Sequence, residues 1–207
     1  MKNNECVENT PLLICDFDGT LVNKNSEATF LRFLTQKKQL RWYHYLLAAL
    51  SVPVNRISRC LGGNDLLRAW SAFRTERETQ ELFLRFLTEN DEIKLNESVL
   101  HQVEQHAGRK MLLTGSNQRL VEGLLGKLGL QGVFDVIIGA RTAKCGYIVA
   151  CHPYGRSKNR YLDGSCLVGI GNEYADRFFL SRCTTAYVVH PDKKLERLAR
   201  EKGWIIL

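Results

Sequence analysis

Apolar residues along this chain follow two rhythms, one on either side of Gly108. Between Glu27 and Gly108 they recur at three- and four-residue spacing, as in Phe30, Leu31, Phe33 and Leu34 and again in Leu82, Phe83, Phe86 and Leu87. That is the period of helices with one buried face, and strand-like runs are absent there. From Lys110 onward short apolar runs alternate with helical segments. The runs are Met111 to Thr114, Val133 to Ile138, Cys166 to Ile170, Ala186 to Val189 and Trp204 to Leu207; helical patterns cover Leu120 to Leu130 and begin again at Lys158, Tyr174 and Lys193. A glycine-punctuated stretch from Cys145 to Ala150 reads as a hairpin. Such alternation predicts a mostly parallel sheet covered by helices. One more strand, Leu12 to Cys15, precedes the helical block. The block therefore interrupts a sheet: residues 1–25 and 109–207 form an α/β core and residues 26–108 an inserted helical cap. No internal repeat, low-complexity segment or Pro/Gly-rich linker appears, so short connections should hold the cap on the core.

The first strand runs into Asp16-Phe17-Asp18-Gly19-Thr20. Side chains two apart on an extended segment project the same way, so Asp16 and Asp18 can face one reacting group at the strand's C-terminal end, where open α/β sheets bind ligands. Gly19 permits a sharp turn. A second strand ends in Thr114-Gly115-Ser116, just before a helix. A hydroxyl and backbone N–H groups at a helix start can hold a phosphate oxygen, although Thr114 or Ser116 can equally cap the helix. Lys158 follows the hairpin near another helix start, and crowded carboxylates and phosphate need such a cation. A third apolar strand ends in Gly171-Asn172-Glu173-Tyr174-Ala175-Asp176.

These segments, in this order, resemble the four motifs of the haloacid dehalogenase superfamily of aspartate-nucleophile phosphatases. Asp16-Phe17-Asp18-Gly19-Thr20 resembles the first motif and Leu112-Leu113-Thr114-Gly115-Ser116 the second. Lys158 fits the third better than Lys144 does. The fourth reads Gly-Asp-x-x-x-Asp in the family, and here its first acid is Asn172. The end of the chain, Val188-Val189-His190-Pro191-Asp192, resembles the phosphoserine-phosphatase-like branch, with His190 in place of the usual Asn and read as a turn residue. The helical cap, the second motif and the following Gln118-Arg119-Leu120-Val121-Glu122 look like bacterial phosphatidylglycerophosphate phosphatases of that branch.

The resemblance implies a Rossmann-like core and a phosphomonoester hydrolase. In it Asp16 is the nucleophile, Asp18 the general acid and base, and Thr114, Gly115 and Lys158 hold the phosphoryl oxygens. It also implies Mg²⁺ held by Asp16, Asp18, Asn172 and Asp176. Mg²⁺ prefers carboxylate oxygens, so Asn172 opens an alternative: a weakened relative that binds a phosphorylated ligand or partner without turnover. Glu173 offers a compensating carboxylate.

Composition narrows the setting. With 207 residues and 44% hydrophobic content, the chain has material for a sizeable core. No apolar run approaches the roughly 20 residues of a membrane span, and the polar start lacks a signal-peptide core; a cytoplasmic protein is expected. The seven cysteines are dispersed with no CxxC pair, which argues against a disulfide framework or zinc, and Cys145, Cys151 and His152 lack a fourth ligand. The remaining histidines, like His152, read as structural. The net charge of +7 favours an anionic partner: a phosphorylated small molecule, a lipid phosphate or an acidic membrane surface. Nucleic acid is not expected, because the basic residues are scattered and no zinc-finger or RNP-like motif is present.

The segment Arg41 to Leu50 mixes aromatic and aliphatic residues, with Lys37, Lys38, Arg56 and Arg59 flanking it. It reads either as a cap helix burying its apolar side against neighbours or as a helix at an anionic membrane surface. The second reading would make the protein peripheral at the inner membrane surface.

Overall fold

The computed structural model describes residues 11–60, 64–162 and 167–207; Cys6 and Cys166 lie outside them. Strand β1 (Leu12–Cys15) is followed by helices α1 (Ser26–Gln36), α2 (Trp42–Cys60), α3 (Glu76–Glu89) and α4 (Glu97–Gln105). The alternating part comprises β2 (Lys110–Asn117), α5 (Gln118–Lys127), β3 (Val136–Thr142), β4 (Val149–Cys151), β5 (Leu167–Gly171), α6 (Arg177–Leu180), β6 (Thr185–Val188), α7 (Lys193–Lys202) and β7 (Ile205–Ile206).

The strands form one seven-stranded sheet in the order β4-β3-β2-β1-β5-β6-β7. Every pairing is parallel except β3 with β4, the expected hairpin. β1 sits between β2 and β5, where the strand order reverses direction, and crevices open at such switch points in α/β sheets. Its side chains alternate between two cores. Leu13 and Cys15 join a cluster under α1, α3, α4 and α5, whereas Ile14 joins one under α6 and α7. A strand covered on both faces needs an unbroken apolar run, which Leu12-Leu13-Ile14-Cys15 supplies.

Helices α1 and α3 are not walled off from the sheet. Phe30 meets Phe83, Trp70 and Phe86 at ring distances of 5.0, 5.1 and 5.2 Å, and these rings share one cluster with Cys15, Leu112 and Leu120. Each buried ring or leucine of this kind contributes roughly 1.5–3 kcal/mol. Between α2 and α3, residues 64–75 form no helix; Leu67 bridges to Ile148 of the hairpin. The segments expected to be helical from Lys158 and Tyr174 are a 3₁₀ turn over Gly155–Tyr161 and a short one over Tyr174–Asp176 that runs into α6.

Helix α2 corrects one expectation. Its buried residues are polar, namely His44, Ser51 and Asn55, and its apolar side faces outward. Asn55 explains why. Its amide donates to the Leu67 carbonyl at 2.8 Å and accepts from the Leu66 and Leu67 N–H groups, while Ser51 donates to Tyr147 at 3.2 Å. The Asn55 bonds satisfy the Leu66 and Leu67 backbone of the irregular 64–75 segment, which an apolar face would leave unpaired at a cost.

Candidate active site

The C-terminal ends of β1, β2 and β5 converge. Lys158 lies between them at 2% exposure, its Nζ donating to Asp16 Oδ1 at 2.8 Å and to Asp176 Oδ1 at 2.7 Å. Burial opposes its charge, but the two carboxylates outweigh that and hold it above the usual lysine range. It also lies over the Phe179 ring, 5.1 Å from the centroid. Lys144, the other lysine considered, is exposed on the hairpin turn and lines a separate cavity.

Asp16 is buried. Its Oδ2 has no hydrogen-bond partner among the described residues, and burial pushes its carboxyl up against the lowering effect of Lys158. Asp18 accepts from the Ser26 N–H at 2.7 Å, at the start of α1, and from the Ser116 hydroxyl. Burial raises it too, with these hydrogen bonds opposing. A half-buried carboxyl whose surroundings raise its pKa, on the wall of a cavity, suits proton donation.

Thr114 is buried, its Oγ1 accepting from Ser116 N–H at 3.1 Å. The cap of α5 is neither Thr114 nor Ser116 but Asn117, whose Oδ1 accepts from the Arg119 and Leu120 N–H groups. β2 runs three residues beyond Thr114, so Thr114 and Ser116 share the strand's cavity-facing end.

Gly19 has φ +69, and a Cβ there would stand 2.2 Å from Asn172 Nδ2; only glycine lets the Asn172 amide lie against this turn. Asn172 Oδ1 accepts from the Thr20 hydroxyl at 3.1 Å. Asp176 is fully engaged, its Oδ2 accepting from the Asn172 and Glu173 N–H groups at 3.2 Å and its Oδ1 from Lys158.

Asp16, Asp18, Thr114, Ser116, Lys158 and Asp176 line a cavity of about 360 Å³ whose far wall comes from the end of α2, residues 65–68 and residues 152–154, while Gly19 and Asn172 lie behind its lining. Pattern reading missed that wall. Arg68, 8% exposed, pairs with Glu27 at 2.8 Å and donates to the Gly115 carbonyl at 3.3 Å. Its remaining terminal nitrogen is buried without a partner among the described residues. Such an orphaned donor awaits an acceptor. Trp70 fixes Glu27 from behind at 2.7 Å.

His152, expected to be structural, also lines the cavity. Its Nδ1 accepts from the Asp65 N–H at 3.1 Å, and burial pulls its pKa down to about 4. The ring is therefore neutral, with its proton on Nε2, on the side nearest Gly115. No short local motif marks Arg68 or His152; the topology alone collects them, whereas Ser116 belongs to the second motif but reads there only as a possible cap. Glu173 reaches the cavity wall and accepts from the Tyr154 hydroxyl at 3.2 Å. His190 sits in an exposed turn with φ +40.

Among the described residues no group of three His, Cys, Asp or Glu side chains makes a ready metal cage. Charge nevertheless fits a divalent cation. Two buried carboxyl groups, Asp16 and Asp176, share the single ammonium of Lys158, and the half-buried Asp18 carboxyl lines the same cavity. The uncommitted donors are the unpartnered Asp16 Oδ2 and the Asp18 carbonyl; the Asn172 amide oxygen, which already accepts from the Thr20 hydroxyl, has one lone pair left, and all three are of the hard type that suits Mg²⁺.

A reversing parallel sheet with such a cluster at its switch point defines an enzyme of the doubly wound α/β class. A family model described as haloacid dehalogenase-like hydrolase matches residues 13–180, and the chain belongs to that family. No curated protein sequence matches it. Among solved structures, a protein of unknown function from Bordetella pertussis Tohama I is 16% identical with a TM-score of 0.72, over 96% of this chain and 98% of that one. A predicted phosphoglycolate phosphatase from Haemophilus somnus 129pt is 16% identical at TM-score 0.55, covering 97% and 95%. A phosphoserine phosphatase in apo form is 12% identical at 0.54, covering 95% and 99%. At these identities the likeness concerns the fold.

Proposed function

We propose that the protein is a Mg²⁺-dependent phosphomonoester hydrolase working through an aspartyl-phosphate on Asp16. The observation that carries this is the buried Lys158 held between Asp16 and Asp176, with an unpartnered Asp16 oxygen facing the cavity. Asp16 Oδ2 attacks phosphorus as the bond to the leaving oxygen breaks, and Asp18 gives that oxygen its proton. Asp18 then takes a proton from water, whose oxygen attacks the same phosphorus; phosphate leaves and the Asp16 carboxylate returns. Thr114, the Gly115 backbone and Lys158 hold the transferring oxygens, and Asp176 keeps Lys158 and the Asn172 loop in place. Asp16, the Asp18 carbonyl and Asn172 would hold Mg²⁺, which would supply the charge neutralisation that an anionic nucleophile needs to approach a phosphoryl group. The helical segment 26–108 acts as a cap that shields this chemistry from water.

The substrate is a phosphorylated small molecule or a lipid phosphate, and the free donors of Arg68 and His152 face its leaving group. Asn172 favours one other reading, a site that binds phosphorylated ligands without turnover, because it removes a carboxylate from the donor set. Mg²⁺-dependent phosphate release across a panel of phosphomonoesters, with Asp16→Asn as control, separates the two. Release by the wild type alone is expected. Full activity in Asp16→Asn would remove the nucleophile assignment, and silence across the panel from folded protein would favour binding alone.

A further inference from the structure

The outward side of α2 is the largest feature that the proposed chemistry leaves unused. Trp42, Tyr45, Leu46, Leu50, Val52 and Ile57 are between 54% and 75% exposed. Soluble helices present the reverse arrangement, with polar residues outward. The apolar surface continues past Tyr43 to Phe73, whose rings lie 6.0 Å apart and which is itself 69% exposed. No other helix or strand packs extensively along α2. An apolar patch of this extent marks an interaction surface.

Charge decides what covers it. From Ala28 to Asn64 the sequence contains no Asp or Glu, while Arg32, Lys37, Lys38, Arg41, Arg56 and Arg59 all fall in that span. Lys37 pairs with Glu89 and Arg59 with Asp65; Arg41 and Arg56, one at each end of α2, make no ion pair among the described residues. A second copy of the chain packed on this face would meet like charge at both ends in either orientation. An acidic surface would meet complementary charge at both. Trp and Leu on one side with unpaired basic residues at the ends is the composition of a helix lying in the headgroup layer. Among the described residues no helix is long and apolar enough to cross a bilayer.

We infer that α2 docks the protein flat on an anionic lipid bilayer, with Trp42, Tyr45, Leu46, Leu50 and Ile57 in the interface and Arg41 and Arg56 on lipid phosphates. The last turn of α2 also supplies Arg59 to the wall of the catalytic cavity. Docking thus brings that wall to headgroup level, where a phosphomonoester carried by a membrane lipid would be presented. The docking stands without turnover, whereas the lipid source of the substrate rests on the phosphatase reading.

The test is co-sedimentation of the full chain with phosphatidylcholine vesicles, with and without phosphatidylglycerol, followed by phosphate release from a soluble phosphomonoester. Wild type should sediment with the anionic vesicles, less so at high salt. Leu46→Gln/Leu50→Gln/Ile57→Gln and Arg41→Gln/Arg56→Gln should each lose at least tenfold in partitioning, with circular dichroism and soluble-substrate turnover unchanged. Equal binding to neutral vesicles, no binding to either kind, or a dimer in sedimentation velocity that the triple variant dissolves would each overturn the docking. If vesicle binding holds while no phosphomonoester is cleaved, the docking stands and the phosphatase reading falls.

Discussion

Replacing Lys158 by Met tests the centre of the site. Methionine nearly matches the volume of the lysine stem but offers no donor, so Asp16 Oδ1 and Asp176 Oδ1 both lose the partner they share at 2.8 and 2.7 Å. Breaking a buried ion pair from one side costs about 3–5 kcal/mol, and here one deletion strands two carboxylates. Against a typical domain stability of about 5–15 kcal/mol, the variant should still fold. With a urea m-value of about 2–3 kcal/mol/M, the midpoint at pH 7 should fall by roughly 1–2 M. The deficit should shrink as pH drops toward 5, because neutral carboxyl groups need no cation. Turnover should vanish as well, since Asp16, whose carboxyl burial already pushes up, loses the cation that opposes its protonation. Urea titrations of wild type and Lys158→Met at both pH values decide the matter. An unchanged midpoint at pH 7, or a deficit that grows on acidification, would refute the claim that Lys158 neutralises buried carboxylates.

Three further outcomes are expected. Gly19→Ala should cost ~1–2 kcal/mol for its left-handed backbone alone, and it should weaken Mg²⁺ binding by calorimetric titration because its Cβ displaces the Asn172 amide; unchanged binding would detach the turn from the metal donors. Asn172→Asp should raise Mg²⁺ affinity on the order of tenfold, ligand charge being the main lever on such sites, and an unaltered titration would place residue 172 away from the cation. His152 titrates at about 4 in the fold against an ordinary value of 6.5, so the unfolded chain takes up its proton first as pH falls. Its contribution to stability is full above the ordinary value and is lost between there and pH 4, by about 2 kcal/mol at pH 5; His152→Gln should flatten that part of the pH–stability curve, and an identical slope in the variant would exclude His152 as its source.

What pattern reading captured is local. Asp16 and Asp18 were legible because a strand's two-residue period puts them on one side. Lys158 stood out only through its place in the order of the motifs, since a lone lysine after a hairpin carries little by itself and the helix expected there is a 3₁₀ turn. Arg68 and His152 were not legible, since each reaches the cavity from a different element and no spacing links them, whereas Ser116 stands two residues after Thr114 on β2 and its partner Asp18 emerged only from the fold. Thr114 and Ser116 seemed equally suited to cap α5 until β2 proved to continue to Asn117. The orientation of α2 failed for a further reason. Periodicity reveals that a helix has two sides but not which one faces the protein, and Asn55 and Ser51 settle that by bonding to residues 64–75 and Tyr147.

Phe30, Phe33, Phe83 and Phe86 lie in one cluster with Cys15, Leu112 and Leu120, and that has a kinetic consequence. Lifting α1 and α3 off the sheet would expose the main core, so these helices should exchange their amide hydrogens with solvent only through global unfolding. Amides of α2 and of residues 64–67, held mainly by a few polar bonds, should exchange by smaller openings at far lower cost. Passage into and out of the cavity would then be governed by that strip, while the rest of the helical insertion rises and falls with the sheet as one cooperative unit.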